Sequence, residues 1–139
     1  LEHLYDTDGL IDEMKRVLKP NGYVIITVPN LAAWYNRFLL LSGFLPHWVE
    51  SSSRYPVGTP YGTVCGHVRA FTKKSITRLL KMHDFTIEVC KGSHIHIDEK
   101  MLRIFGKENS FGIRIFRAIE NLFGYTSLAS NILLKARLK

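Results

Sequence analysis

The sequence predicts a single α/β domain, and three observations lead there. A helical stripe of apolar residues runs through Leu10, Ile11, Met14, Val17 and Leu18 and stops at Lys19-Pro20-Asn21-Gly22. Six consecutive β-formers, Tyr23-Val24-Ile25-Ile26-Thr27-Val28, follow directly. A second amphipathic helix then leads into an alternating strand, and the chain closes on another β-rich run. Helices alternating with strands are the pattern of layered α/β domains.

The first helix has Asp6 or Thr7 as its N-cap, and Lys15, Arg16 and Lys19 suit the negative end of its dipole. Pro20 cannot continue the helix, while Asn21 and Gly22 tolerate positive φ. The unbroken apolar run 23–28 predicts a strand buried on both faces, as in the middle of a parallel sheet. Residues 31–44, with Trp34, Tyr35, Phe38, Leu39 and Leu41, predict a helix capped by Asn30. Residues 45–66 form a long loop rich in Pro, Gly and Ser. Loops of that length inside compact domains are commonly functional, and Phe44, Leu45, Trp48, Val49 and Tyr55 favour a lid or acceptor loop over a solvated linker.

Thr72 predicts the cap of a helix reaching His83, with Ile76, Leu79 and Leu80 inward and Lys73, Lys74, Arg78 and Lys81 outward. A strand follows over residues 85–90, with an extension toward His96 in view. Residues 98–105 and 110–123 predict helices; in the second, Phe111, Ile115, Ala118, Ile119 and Leu122 are expected to face the core, with Arg114, Arg117 and Asn121 opposite. Residues 130–138 predict the last strand.

Composition narrows the function classes. Hydrophobic residues make up 46% of the 139, which is globular rather than disordered, and no apolar run approaches the ~20 residues of a membrane span. Two cysteines, Cys65 and Cys90, make no disulfide framework and favour a reducing, cytoplasmic setting. The opening on Leu1 leads to the expectation of a missing upstream segment. Residues 1–66 hold 5 Lys/Arg against 6 Asp/Glu, whereas residues 67–139 hold 14 against 6. Such a basic half suits an anionic partner or membrane surface, or simply solvated helix faces. With no arginine-rich run or nucleic-acid motif, nucleic acid is not an expected partner.

Gly58, Gly62 and Gly66 recur every fourth residue, so they match neither dinucleotide nor P-loop spacing. Cys65-x-His67 and Cys90-x-x-x-His94-x-His96 offer ligand types, but without a paired-cysteine motif or recognised spacing the sequence assigns no metal site. There is no nucleophile elbow.

Four segments are more informative: Leu1-Glu2-His3-Leu4-Tyr5-Asp6, Arg16-Val17-Leu18-Lys19-Pro20-Asn21-Gly22-Tyr23, Val28-Pro29-Asn30, and Gly66-His67-Val68-Arg69-Ala70-Phe71-Thr72. In this order they resemble the second half of class I S-adenosylmethionine-dependent methyltransferases, above all those that modify small or lipid-like molecules. The resemblance runs over nearly the whole chain. It departs at Asn21 and Asp84, where the family carries glycine, and in having no counterpart of the family's glycine-rich loop or acidic residue ending strand two.

The resemblance implies a Rossmann-like sheet of strand order 3-2-1-4-5-7-6. Residues 1–139 would be a partial domain supplying strands five, seven and six with their helices. It implies methyl transfer from S-adenosylmethionine, with proximity supplying most of the catalysis. Glu2, His3 and Leu4 would line the methyl end of the cofactor, and His3 would act as general base. Pro29, Asn30, His67 and Arg69 would face the acceptor, with Arg69 either gripping an acidic group or pairing within the protein. The partners implied are a small-molecule or lipid-like acceptor and the absent N-terminal half. Peripheral membrane contact through residues 110–123 and oligomerisation are further expectations. A non-enzymatic binding module for an anionic partner is the rival reading.

Overall fold

The computed structural model describes residues 1–58, 64–94, 110–124 and 127–139. Their order is α1 (Thr7–Val17), β1 (Tyr23–Pro29), α2 (Trp34–Leu41), α3 (Lys73–Met82), β2 (Phe85–Ser93), α4 (Phe111–Phe123) and β3 (Asn131–Leu138). β2 carries the expected strand past Cys90 to Ser93, while residues 95 and 96 of that extension and the expected helix over 98–105 lie outside the described residues.

Local chemistry sets the element ends. The Asp6 carboxylate accepts from the Gly9 amide at 2.8 Å and starts α1. Thr72 and Ser75 form a reciprocal capping box on α3. Asn21 takes φ 61° in the turn before β1 and Asp84 takes φ 66° in the turn before β2. These are the two positions where the resembled family carries glycine, and both residues adopt the left-handed conformation that glycine would supply.

The three strands form one sheet in the order β1-β3-β2, and β3 runs antiparallel to both neighbours. This corrects the expectation of a parallel surround for β1. The register pairs Ile26 with Leu134 and Val28 with Ile132, so one face of the sheet presents a continuous apolar row. Ile11 of α1 and Ile76 and Leu80 of α3 close over that row with Phe71 and Phe85, forming the main core. Burial along β1 therefore alternates: Ile26 and Val28 point into the core, while Tyr23 and Ile25 on the other face are 51% and 64% exposed. The expectation of burial on both faces fails because period-2 geometry sends alternate residues to the face opposite the core helices. On that face Lys135 lies 4.5 Å from the centre of the Tyr23 ring.

Two further expectations are corrected. The helix after β1 begins at Trp34 with Ala33 as an N-cap lacking any side-chain bond, not at Asn30. In α4 the buried residues are Ile113, Phe116 and Glu120, while Phe111, Ile115 and Leu122 lie exposed. The apolar stripe read from the sequence is real but turns to solvent. What anchors α4 is aromatic and polar. Phe116 packs against Trp34 and Tyr35 of α2, and Glu120 accepts from the Trp34 indole N–H and the Ser130 hydroxyl, each at 2.7 Å.

Candidate functional site

The end of β1 is fixed by Asn30, whose carboxamide is wholly committed. It donates to the carbonyls of Ser127 and Ala129 at 2.9 and 2.7 Å and accepts from the Ala32 amide at 3.0 Å. Asn30 thus ties the end of β1 to the approach to β3. Its backbone bridges in parallel to Phe71, bringing the 66–71 segment alongside. Asn36, fully buried, extends the anchorage: it donates to the Asn30 carbonyl and accepts from the His47 amide at 2.7 Å. The start of the long loop is thereby held beside the sheet end.

The loop is also closed on itself. Glu50 accepts from the amides of Cys65 at 2.6 Å and Gly66 at 3.0 Å, so one carboxylate joins its two described stretches. Burial works against the charged form of Glu50, yet the amides of Cys65, Gly66 and His67, together with the His67 ring, hold its carboxyl below the usual range. Glu50 is therefore a carboxylate in place. Trp48 sits at φ 71°, a conformation unfavourable for a bulky residue and typical of positions held by their surroundings for function.

The Glu2 carbonyl accepts from the amides of Val68 and Arg69, docking the first residues against the 66–71 segment. An open cleft of about 240 Å³, its mouth included, results. Glu2, Pro29, His67 and Arg69 line it with Leu31, His47, Trp48, Val49 and Phe71. His3 stacks on His67 with ring centres 4.5 Å apart and planes 26° from parallel. The edge of Trp48 meets the His67 ring at 5.2 Å. His3 Nδ1 lies 3.2 Å from the Gly66 carbonyl. Since a carbonyl only accepts, Nδ1 donates in this contact and Nε2 is left outside it. Glu2 Oε1 is 4.0 Å from that Nε2.

His67 is more enclosed than Glu2, His3 or Glu50, its side chain 7% exposed. Burial lowers its pKa, and the neighbouring His3 lowers it further against the opposing pull of Glu50 and Glu2. Its Nδ1, like the Trp48 indole nitrogen and the Tyr35 hydroxyl, is buried with no hydrogen-bond partner among the described residues. Burial, assisted by the charge of Glu120, pushes the Tyr35 hydroxyl up to about 12; Ser130 and Trp48 lie near enough to temper the shift without closing a bond.

Of the residues singled out in the sequence, Glu2, Pro29, His67 and Arg69 meet at the cleft, with His3 against the His67 ring. Leu4 and Asn30 do not line it. Arg69 donates to the Tyr5 carbonyl and pairs with no carboxylate among the described residues. The sequence reading missed Glu50 as a site residue. Its partners are backbone amides 15 and 16 residues away, and no spacing rule points to them.

The fold and cleft define a layered α/β protein with a titratable site at the end of its first strand. A family model described as a methyltransferase domain matches residues 1–89. The chain belongs to that family, the class I S-adenosylmethionine-dependent methyltransferases. No curated protein matches the chain. Among the described residues no helix is long and apolar enough to cross a membrane.

Proposed function

We propose that this cleft is the acceptor end of a site transferring a methyl group from S-adenosylmethionine to a small-molecule or lipid-like acceptor. One observation carries the reading: Glu2, Pro29 and His67-Arg69, from three separate segments, converge on a single cleft, with His3 stacked on the His67 ring. The sheet order β1-β3-β2, with an antiparallel central strand, supports assigning β1, β3 and β2 to strands five, seven and six of the family's sheet. In this reading residues 1–139 form the C-terminal part of the domain. A preceding segment brings the glycine-rich loop and the acidic residue that hold the rest of the cofactor.

The residues present fit the methyl end of that cofactor. A cationic sulfonium is favoured beside the Glu2 carboxylate that lines the cleft. S-adenosylmethionine would supply an activated methyl group there. The chain's own residues do the rest. His3, protonated on Nδ1 by its contact with Gly66, presents Nε2 to take the acceptor's proton, and Glu2 steadies the imidazolium that forms. The wall formed by His67 and Trp48 orients the acceptor, and Arg69 at the rim offers a bidentate grip for an acidic group.

The test uses two proteins, residues 1–139 and a longer protein carrying the preceding half. Calorimetry should detect no binding of micromolar S-adenosylmethionine to the first, because each buried polar ligand group left unpaired costs about 1–3 kcal/mol. It should detect binding to the second. There His3→Ala should lower kcat by about 10²–10⁴ while leaving cofactor affinity within a few-fold. Micromolar binding by residues 1–139 alone would mean that the cofactor site is misplaced.

A specific observation favours a membrane-borne acceptor. Phe111 and Leu122 of α4 are 77% and 70% exposed, with Ile115 between them and Arg114 and Arg117 alongside. An apolar stripe flanked by cations suits the surface of an anionic membrane. Co-flotation with anionic but not neutral vesicles, abolished by Phe111→Ser with Leu122→Ser, is the expected result.

A further inference from the structure

Beside the cleft, Glu50, Cys65 and His67 bring one carboxylate oxygen, one thiol sulfur and one imidazole nitrogen within 4.8 Å of one another. Both described stretches of the long loop contribute to this group. His67 Nδ1 is buried without a hydrogen-bond partner among the described residues, on a side chain more than nine-tenths buried. The nearest carboxylate oxygen, Glu50 Oε1, is 3.7 Å away, too far for a hydrogen bond. Two ligands bound at 2.0–2.1 Å to one tetrahedral ion sit roughly 3.3 Å apart, so 3.7 Å approaches the spacing of metal ligands. Cys65 is exposed and in no disulfide, so its thiol is available as the third ligand.

We propose that Glu50, Cys65 and His67 bind a divalent transition-metal ion of the zinc type at the mouth of the cleft. The mixed oxygen, sulfur and nitrogen donor set selects a borderline-soft ion over magnesium or calcium. The surroundings already hold a ligand in place: the Glu50 oxygens are oriented by the amides of Cys65 and Gly66, as the partners behind a metal ligand orient it. Three protein ligands leave the fourth tetrahedral position open, and His67 lines the cleft. A second trio, Glu2, His3 and His67, gathers around the same imidazole. The Glu50 set is preferred because the unpartnered atom of His67, Nδ1, is the one facing Glu50.

Cobalt(II) tests this directly, and no methyl-transfer assay is involved. The chelator-treated full chain is titrated with Co²⁺ and followed by absorption. The expected result is saturation at one equivalent, with intense tetrahedral d–d bands and a thiolate-to-cobalt charge-transfer band, both bleached by Zn²⁺. Cys65→Ser should remove the charge-transfer band, and Glu50→Gln and His67→Gln should each weaken Co²⁺ binding at least tenfold, with far-UV circular dichroism confirming the fold. Absence of tetrahedral bands in the unmutated chain overturns the proposal, and so does a charge-transfer band that survives Cys65→Ser. Unchanged affinity in both Glu50→Gln and His67→Gln overturns it equally.

Discussion

Replacing Asn36 with alanine should loosen the site without replacing any residue that lines the cleft. The Asn36 side chain is fully buried and makes two bonds, accepting from the His47 amide at 2.7 Å and donating to the Asn30 carbonyl at 3.3 Å. The second loss is minor, because the Asn30 carbonyl also accepts from the Ala33 amide at 3.0 Å. The first removes the side-chain acceptor of a partly buried amide, which costs about 1–3 kcal/mol. The emptied carboxamide volume adds about 1 kcal/mol. The sum, ~2–4 kcal/mol, should appear as a lowered urea midpoint at unchanged slope. Amide exchange should accelerate at His47, Trp48 and Val49, since His47 is the residue through which the sheet end holds the loop. A loss below ~0.5 kcal/mol, with His47 still protected, would refute the reasoning.

Other outcomes follow from the core and from α1. Phe85→Ala, at a fully buried ring in the main core, should cost about 3–5 kcal/mol by chemical denaturation. The pKa of His83 is raised, chiefly by its hydrogen bond to Asp8 at 2.7 Å and then by Asp12 at 3.1 Å. Folding therefore favours its protonated form, and the stabilisation is complete below the unfolded value of ~6.5 and fades as pH rises through the higher folded value. Stability measured across that window should fall with rising pH, and His83→Gln should flatten this part of the profile.

Much of the fold is legible in the sequence because short-range chemistry decides it. The Thr72 cap, the Asp84 turn and the stripe of Ile76 and Leu80 depend only on residues a few positions apart. What escapes is decided across the fold. The buried face of α4 is chosen by Trp34 and Ser130 seeking the Glu120 carboxylate, and a buried glutamate is invisible to a search for apolar periodicity. Asn30 reads as a helix cap in isolation, yet its side-chain amide donates to carbonyls 97 and 99 residues on. The antiparallel neighbour of β1 likewise comes from the far end of the chain. At the site, the pieces Glu2-His3, Pro29 and His67-Arg69 were readable as motifs. Their meeting point, and the role of Glu50 in holding the loop, depend on backbone amides that carry no residue identity.

The central claim is that the cleft walled by Glu2, Trp48 and His67 receives the reacting end of the cofactor. The most direct measurement is nuclear magnetic resonance of the imidazole and indole groups in the protein carrying its complete methyltransferase domain, titrated with S-adenosylmethionine. The account predicts saturable shifts at the His3 and His67 rings and the Trp48 indole, and little change at His83, which caps the C-terminal end of α3 and does not line the cleft. Cofactor binding that leaves His3, Trp48 and His67 unshifted would contradict it.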